Sequence, residues 1–243
     1  MRVDVVATAD AAVPAGLRGA TVLVVDVLRA STTIIAALRS GCAGIVPVGD
    51  PEAARHRASA LPDGTVLLAG ERRGEPIAGF DLGNSPLEFT AERVAGKTVI
   101  LTTSNGTRAL LAAGPAAQVG VAALVNLSAA AAWALGGGSD VTVLCAGERG
   151  RPSLEDGVCA GLLVERMLRD EPRLHATVAA TAAAELASGY GKDVARLAAD
   201  SGWARHLARR GRAADVVACL VLDTTTLVPV YRADVDKVVP AHR

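Results

Sequence analysis

The chain has 243 residues, with 25 Lys and Arg against 25 Asp and Glu, 51% hydrophobic residues and only 2% aromatic residues. This length suits one globular unit with a core of alanine, valine and leucine, which needs neither disulfides nor a structural metal for its stability. The balanced charge excludes the long-range attraction that gathers nucleic acid or anionic lipid, so a small molecule is the expected partner.

The cysteines and the N-terminus predict a cytoplasmic protein. Cys42, Cys145, Cys159 and Cys219 are widely spaced and follow no paired metal-ligand spacing, which is typical of free thiols in a reducing compartment. The first residues carry acids where a signal peptide is apolar, and no apolar run reaches the roughly 18 residues of a membrane span.

Short apolar runs alternate with Ala-rich segments along the first two thirds of the chain, which predicts an α/β fold. Strands are predicted near 21–26, 44–48, 65–69, 98–103, 118–124 and 141–145, and helices near 30–40, 51–60, 106–113, 128–135 and 154–169. Continuous Val and Leu runs favour a mainly parallel sheet buried on both faces, in a layered α/β/α arrangement. Residues 174–222 are predicted helical, and 227–239 a hairpin whose prolines favour a sheet edge.

An offset of 77 positions brings two stretches of the chain into register without a gap. Val22-Leu23-Val24 then matches Val99-Ile100-Leu101, and Ala69-Gly70-Glu71-Arg72 matches the identical Ala146-Gly147-Glu148-Arg149. This favours a tandem duplication within one α/β unit spanning 1–243, with similar lobes at about 1–95 and 96–172 and a C-terminal helical segment and hairpin at 173–243. The alternative is chance matching between Ala-rich strand and helix units.

Two strand ends carry polar residues that suit an anion or a cation. Asp26 and Arg29 follow the first predicted strand, where a carboxylate can hold a divalent cation and an arginine can hold an anion. Ser104, Asn105, Gly106 and Thr107 follow a second strand and predict an oxyanion cradle at a helix start. The alternatives are a helix cap beside a solvated arginine, and an Asn-Gly turn capped by threonine.

A third strand end reads C-A-G-E-R-G-R-P-S-L-E-D, from Cys145 to Asp156. Ser153 and Asp156 have the spacing of a capping box, whereas Glu155 beside them is unexplained unless a cation or an arginine lies near. Cys145 and Arg151 also have the spacing of cysteine-dependent phosphatases, which leaves a thiolate mechanism as a minor alternative.

One polar loop lies between the two repeats. It reads G-F-D-L-G-N-S-P, from Gly79 to Pro86, and Glu71, Arg72 and Arg73 precede it. A surface loop is the default interpretation, and closure over a charged substrate is the alternative.

Four segments in this order and spacing resemble the 2-phosphosulfolactate phosphatase family: V-D-V-L-R-A-S-T-T-I, G-F-D-L-G-N-S-P-L-E, T-T-S-N-G-T-R-A-L and C-A-G-E-R-G-R-P-S-L-E-D-G-V-C-A-G. The resemblance extends from about Val22 to Pro229. It implies a Mg²⁺-dependent phosphatase that hydrolyses 2-phospho-3-sulfolactate, a step associated with coenzyme M formation. It also implies an α/β fold distinct from the common phosphatase folds, and a homodimer is a family-level expectation.

The residues above give this chemistry a working assignment. Asp26 with Glu155 or Asp156 is expected to hold Mg²⁺, while Arg29 and the cradle of Ser104, Asn105, Gly106 and Thr107 orient the phosphoryl group. Other arginines would bind the remaining acid groups of a small anionic phosphorylated substrate: Arg72, Arg149 and Arg151.

Two other functions fit the same residues. A phosphatase of the same fold could act on a different small phosphorylated hydroxy acid, because the reaction machinery does not determine the leaving group. A non-catalytic anion-binding protein could use the same helix starts without a metal.

Overall fold

The computed structural model describes residues 1–62 and 64–241 and contains one large mixed sheet. Its strands, in chain order, are β1 Arg2–Val6, β2 Thr21–Val25, β3 Gly44–Pro47, β4 Val66–Arg72, β5 Glu75–Pro76, β6 Thr98–Thr102, β7 Gln118–Ala122, β8 Val141–Cys145, β9 His175–Ala176, β10 Pro229–Arg232 and β11 Lys237–Pro240. They lie side by side in the order β5-β4-β6-β3-β11-β10-β7-β2-β8-β1-β9. The six predicted strands are therefore confirmed.

The sheet consists of two parallel groups of strands joined by a hairpin. On one side β4, β6 and β3 are parallel, and on the other side β7, β2, β8, β1 and β9 are parallel. The hairpin of β10 and β11 is antiparallel to β7 and to β3. The two groups consequently run in opposite directions.

Helices pack on both faces of this sheet, as the α/β/α prediction requires. The helices are α1 Pro14–Leu17, α2 Ala30–Arg39, α3 Pro51–Ser59, α4 Ala91–Val94, α5 Gly106–Ala112, α6 Leu127–Gly136, α7 Leu154–Asp170, α8 Val178–Ser188, α9 Leu197–Asp200, α10 Gly202–Leu207 and α11 Ala213–Cys219. The five helices predicted from the apolar pattern begin and end within one residue of their expected positions.

Two main hydrophobic clusters occupy the two faces of the sheet. One packs α6 and α7 against Leu23, Val25 and Val143. The other packs α2 and α5 against alternate side chains of the same strand, Val22 and Val24, and against β6 of the opposite group. Successive strand residues point to opposite faces, so a continuous Val run buries both. This second cluster, which contains residues of both groups of strands, packs α2 and α5 between them.

The C-terminal hairpin lies in the middle of the sheet, so the predicted edge position is wrong. Pro229 and Pro240 face each other at the open end of the hairpin, where their missing N–H groups interrupt little of the ladder. Val230 and Tyr231 pair with β7, and Val238 pairs with Ile45 of β3. The hairpin therefore bridges the two parallel groups.

The strands matched by the 77-residue offset lie in mirrored positions around this hairpin. The order β4-β6-β3 on one side corresponds to β8-β2-β7 on the other. Each repeat thus contributes its first strand to the opposite group, since β2 pairs with β7 and β8 while β6 pairs with β3 and β4. The tandem duplication remains a proposal, and this order supports it.

Within the residues described, no helix is long and apolar enough to cross a membrane.

Candidate functional site

A small cavity of about 50 Å³ lies where the carboxyl ends of four strands approach one another. Asp26 follows β2, Glu71 is the next-to-last residue of β4, Ser104 follows β6 and Glu148 follows β8, and all four line the cavity. Its other lining residues are Leu28, Arg29, Arg73, Asn84, Asn105, Arg149 and Trp203. Ligands in α/β sheets bind at this end of the strands, so the cavity is the candidate site.

Helices α2 and α5 begin against each other beside this cavity. A Cβ atom at Gly106 would overlap the Cβ of Ala30 and would lie 2.7 Å from Asp26 Oδ2. Only glycine therefore allows both helix starts to pack against the Asp26 carboxylate. The close packing of Gly106 against Ala30 and Asp26 thus brings together the two predicted strand ends, at Asp26 and at Ser104–Thr107.

Asp26 lines the cavity and is 7% exposed. Its Oδ1 accepts a hydrogen bond from the N–H of Ala30 at 3.1 Å, while its Oδ2 accepts none from the residues described. The pKa of Asp26 is raised to about 7, mainly by burial. The Ala30 amide and Arg29 lower this pKa, while the nearby carboxylates of Glu71 and Glu155 raise it.

Glu71 fastens the end of β4 to the turn after β6. Its carboxylate accepts hydrogen bonds from the N–H of Ser104 at 2.7 Å and of Gly74 at 2.6 Å, and from the hydroxyl of Ser104 at 3.2 Å. The N–H of Thr107 donates to the Thr103 hydroxyl at 3.1 Å. Two of the four amides in the predicted cradle are thus engaged within the protein.

Glu155 and Asp156 are both buried at the start of α7 but have different surroundings. Asp156 accepts the N–H of Val27 at 2.8 Å on one oxygen and of Gly147 at 3.1 Å on the other, which ties the ends of β2 and β8 together. Burial, and then the carboxylates of Asp26 and Glu155, raise the pKa of Asp156 well above its usual range. Burial also raises the pKa of Glu155, although the Ser201 hydroxyl favours its charged form.

The predicted capping box at Ser153 is wrong. Ser153 is the N-cap residue of α7, but its side chain makes no capping hydrogen bond and its buried hydroxyl has no partner among the residues described. The physical reason is that Asp156 turns away from the helix start toward the amides of Val27 and Gly147.

Arg29 is buried, and Asp215 of α11 holds it in place. Its Nη1 donates to Asp215 Oδ2 at 2.6 Å, and its Nη2 donates to the carbonyl of Gly74 at 3.1 Å. Asp215 Oδ1 also accepts the hydroxyl of Ser85 at 2.6 Å. The C-terminal helical segment therefore orients the predicted phosphate-binding arginine and anchors the 79–86 loop.

An open groove of about 690 Å³ continues outward from the small cavity. The two share Arg73, Ser104, Asn105 and Arg149, and the groove adds Gly49, Arg72, Thr103 and Arg108. Four arginines thus surround the groove, whereas three acidic side chains and three arginines, of which Arg73 and Arg149 are shared with the groove, line the small cavity. A ligand with several negative groups can extend from one into the other.

Five sequence-predicted site residues are absent from the linings of both spaces: Gly106, Glu155 and Asp156, which are described above, and Arg151 and Thr107. Arg151 is exposed and forms a tight turn with Glu148, in which each residue's N–H donates to the other's carbonyl at 2.8 and 2.9 Å. Thr107 is buried, and its hydroxyl bonds to the backbone of Thr103. Their assignment to substrate binding remains a prediction.

Cys145 lacks the environment of a reactive thiolate. Its side chain is 1% exposed, and burial raises the pKa of its thiol well above the ordinary value. Its Sγ lies 3.6 Å from the carbonyl of Asp156 and not in the cavity lining. The geometry therefore opposes the thiolate mechanism.

Glu71, Glu148, Asn84 and Asp215 belong to the site but are absent from the sequence-based assignment. The repeat held a signal for the first two, because Glu71 and Glu148 occupy matched positions and both line the cavity. The next matched pair, Arg72 and Arg149, likewise meets in the outer groove.

Replacement of Gly106 tests the contact between the two helix starts. Gly106→Ala should lower the free energy of unfolding by about 1–3 kcal/mol, because the new Cβ forces Ala30 and Asp26 apart. Gly202→Ala is the matched control at the first position of α10, where a Cβ meets no atom within 4 Å. Urea denaturation should show equal stability for the two variants if the contact is unimportant.

Stability as a function of pH tests the burial of Asp26. In EDTA the folded protein holds a proton on Asp26 up to about pH 7, whereas the unfolded chain releases it near the ordinary value of 3.8. The folded state then binds more protons, so stability should fall as pH rises from about 4 to 7. Asp26→Asn should reduce that slope by up to about 1.4 kcal/mol per pH unit.

Exposed Glu92→Gln is the control for this measurement, because its side chain lies in solvent in both states. An unaltered slope in Asp26→Asn would contradict the assignment of the proton to Asp26.

Comparison with known proteins places these features in a family. A sequence profile described as 2-phosphosulpholactate phosphatase matches residues 7–234. A protein of Symbiobacterium thermophilum named "Probable 2-phosphosulfolactate phosphatase" is 40% identical over 215 residues, which are 88% of this chain and 92% of the relative. Relatives with the same name from Caldanaerobacter subterraneus and Gloeobacter violaceus are 36% and 40% identical, covering 88% and 84% of this chain and 88% and 85% of their own lengths.

The matched region contains all four strand ends of the cavity, the outer groove and Asp215. The chain belongs to the 2-phosphosulpholactate phosphatase family, a family of phosphoric monoester hydrolases.

Proposed function

We propose that this protein hydrolyses 2-phospho-3-sulfolactate to 3-sulfolactate and phosphate with the help of Mg²⁺. The observation that carries the proposal is the junction, at the strand ends, of a cavity lined by both carboxylates and arginines with an arginine-lined groove, in a chain of this family. The relatives' printed names supply the substrate.

The donor set of the cavity suits Mg²⁺. This cation prefers oxygen ligands, keeps several waters, and is bound through one or two carboxylates together with substrate phosphate. Asp26 lines the cavity and offers an oxygen that accepts no hydrogen bond from the described residues. Glu155 is the second proposed ligand, and it is buried at the start of α7 outside the cavity lining. Asp156 orients the strand ends instead, because amides occupy both of its oxygens.

Within 1–62 and 64–241 no three His, Cys, Asp or Glu side chains converge into a ready-made metal-binding group. A site completed by substrate phosphate and water is consistent with that arrangement. When bound, Mg²⁺ would offset the negative charge that develops on the phosphoryl oxygens.

The cavity is large enough for the phosphoryl group but not for the rest of the substrate. A volume of about 50 Å³ admits only a few water-sized groups, so the reacting phosphoryl group enters next to Asp26, Arg29 and Asn105. Asp215 and Gly74 hold the Arg29 guanidinium, which is therefore oriented before the substrate arrives.

The sulfonate and carboxylate then lie in the outer groove. Arg72, Arg73, Arg108 and Arg149 surround it, and charge-assisted hydrogen bonds to such groups contribute about 1.5–3 kcal/mol each when well formed. Arg149 is 71% exposed and free to approach an entering anion, whereas Arg72 is fixed by the carbonyl of Gly49 and the hydroxyl of Thr102.

Phosphate release across a panel of phosphorylated hydroxy acids, with Mg²⁺ or with EDTA, tests this function. We expect release from 2-phospho-3-sulfolactate to exceed that from esters lacking a second acid group, and EDTA to abolish it. Asp26→Asn should lower kcat by about 100-fold or more, because it removes the charged oxygen from the cavity.

Cys145→Ser is the matched control, since its side chain is buried outside the cavity, and it should keep the rate per folded molecule. Equal release from every ester would shift the substrate to another phosphorylated acid. No release from p-nitrophenyl phosphate in Mg²⁺, with ligand binding that survives EDTA, would identify a non-catalytic anion-binding protein.

A further inference from the structure

Trp203, on α10, is a member of the cavity lining to which the function above assigns no role. Its side chain is half-buried, and it lines the cavity together with Leu28 and Arg29. Its indole N–H donates a hydrogen bond to the carbonyl of Leu28 at 2.9 Å. Leu28 directly precedes Arg29, so the indole holds the backbone from which the buried guanidinium extends.

The indole ring also lies against Gly74, a residue that Arg29 contacts. A Cβ atom at Gly74 would be 3.4 Å from Trp203 Cη2, so the ring leaves space for no more than about one carbon atom above Gly74. The carbonyl of Gly74 accepts Arg29 Nη2 at 3.1 Å, and its N–H donates to Glu71 at 2.6 Å. Trp203 therefore contacts both the chain segment that carries Arg29 and a segment that accepts its hydrogen bond.

Helix α10 holds the indole in a fixed orientation. Ala204 and Leu207 of this helix are buried, and the hydroxyl of the N-cap residue Ser201 accepts the N–H of Ala204 at 3.0 Å. The His206 ring stacks on the indole, with ring centroids 4.9 Å apart and planes inclined by 11°. Contacts within the protein thus set the position of Trp203 before any ligand binds.

Arg29 has hydrogen-bonding capacity left for a ligand. A guanidinium carries five N–H donors, and the hydrogen bonds to Asp215 and Gly74 use two of them. The usefulness of the others depends on their direction, because a misplacement of about 1 Å at a reacting group can lower a rate by about 100-fold.

We propose that Trp203 is a positioning residue that holds Arg29 in the orientation in which its free N–H groups meet the phosphoryl group. The inference rests on the proposed function for the presence of a phosphoryl group in the cavity. It adds a residue of the C-terminal helical segment that acts through Arg29.

Binding of inorganic phosphate in the presence of Mg²⁺, followed by calorimetry, tests this role without turnover. Trp203→Phe keeps an aromatic ring and removes the N–H, so it should weaken phosphate binding by about threefold or more. Arg29→Lys, which retains a positive charge beside Asp215, should weaken binding by about tenfold. Adding Trp203→Phe to Arg29→Lys should then weaken binding no further, because Trp203 acts through the guanidinium.

Trp133 provides the matched control, because it is the second of the chain's two tryptophans and is absent from the linings of both spaces. It is half-buried against Gly120 of β7. Trp133→Phe should leave the phosphate affinity unchanged, whatever its effect on the melting temperature. Phosphate should also change the fluorescence emission of the Trp203 that remains in this variant, but not that of the Trp133 that remains in Trp203→Phe.

Four results would each overturn the proposal. They are wild-type phosphate affinity in Trp203→Phe, a further loss of equal size when Trp203→Phe is added to Arg29→Lys, Trp203 emission that phosphate leaves unchanged, and no phosphate binding by the wild type. A tryptophan with a merely structural role would lower the melting temperature alone.

Phosphate release from 2-phospho-3-sulfolactate by the same wild-type sample separates this proposal from the proposed function. Phosphate binding that depends on Trp203 and Arg29 without any release upholds the positioning role and rejects the function. Release by the wild type, with unchanged phosphate affinity in Trp203→Phe, does the reverse.

Discussion

The excess of buried negative charge is the constraint on which the rest of this structure depends. Among the described residues five carboxylates are buried, and Arg29 is the single buried basic side chain: Asp26, Glu71, Glu155, Asp156 and Asp215 are the acids. Burial of unpaired charge is costly, so each carboxylate needs a partner or a proton. The arrangement of partners explains much of the geometry around the cavity.

Backbone amides and one arginine satisfy most of these acids. Asp156 and Glu71 take amides from turns that follow different strands, and Asp215 takes Arg29 and Ser85. Each of these acids therefore links segments that are distant in sequence through hydrogen bonds, which makes the strand ends rigid. Asp26 is only partly satisfied, because one of its oxygens accepts no hydrogen bond from the described residues. Asp26, which lines the cavity, is thus left with an oxygen that can accept a proton or an external ligand.

The strand order explains how distant segments come together at that point. The central hairpin separates two parallel groups that run in opposite directions, and α2 and α5 fill the space between them. Both helices follow a first strand of the proposed repeat, and they begin in contact at Ala30 and Gly106. Matched residues of the two repeats, such as Glu71 and Glu148, then face one cavity although 77 positions separate them.

The C-terminal segment contributes to the site through residues to which the sequence assigned no role. Trp203 lines the cavity and donates from its indole N–H to the carbonyl of Leu28 at 2.9 Å, and Asp215 holds Arg29. Helical periodicity predicted these residues as helix members but indicated no partner for them. A site assigned only from the strand ends therefore lacks the residues that orient its side chains, such as Asp215, which holds Arg29.

The amino-acid sequence by itself determined the strands and helices of the first two thirds, because their apolar runs and helix starts are local signals. It also determined three of the four strand ends that form the site, through Asp26, the Ser104–Thr107 turn and the segment after Cys145. Only the tertiary structure decided the central place of the hairpin, the turning of Asp156 toward Val27 and Gly147, and the burial of Asn84 and Asp215. These depend on partners up to 186 residues away, since each carboxylate or amide settles where an oppositely polarised group from another segment happens to be buried beside it.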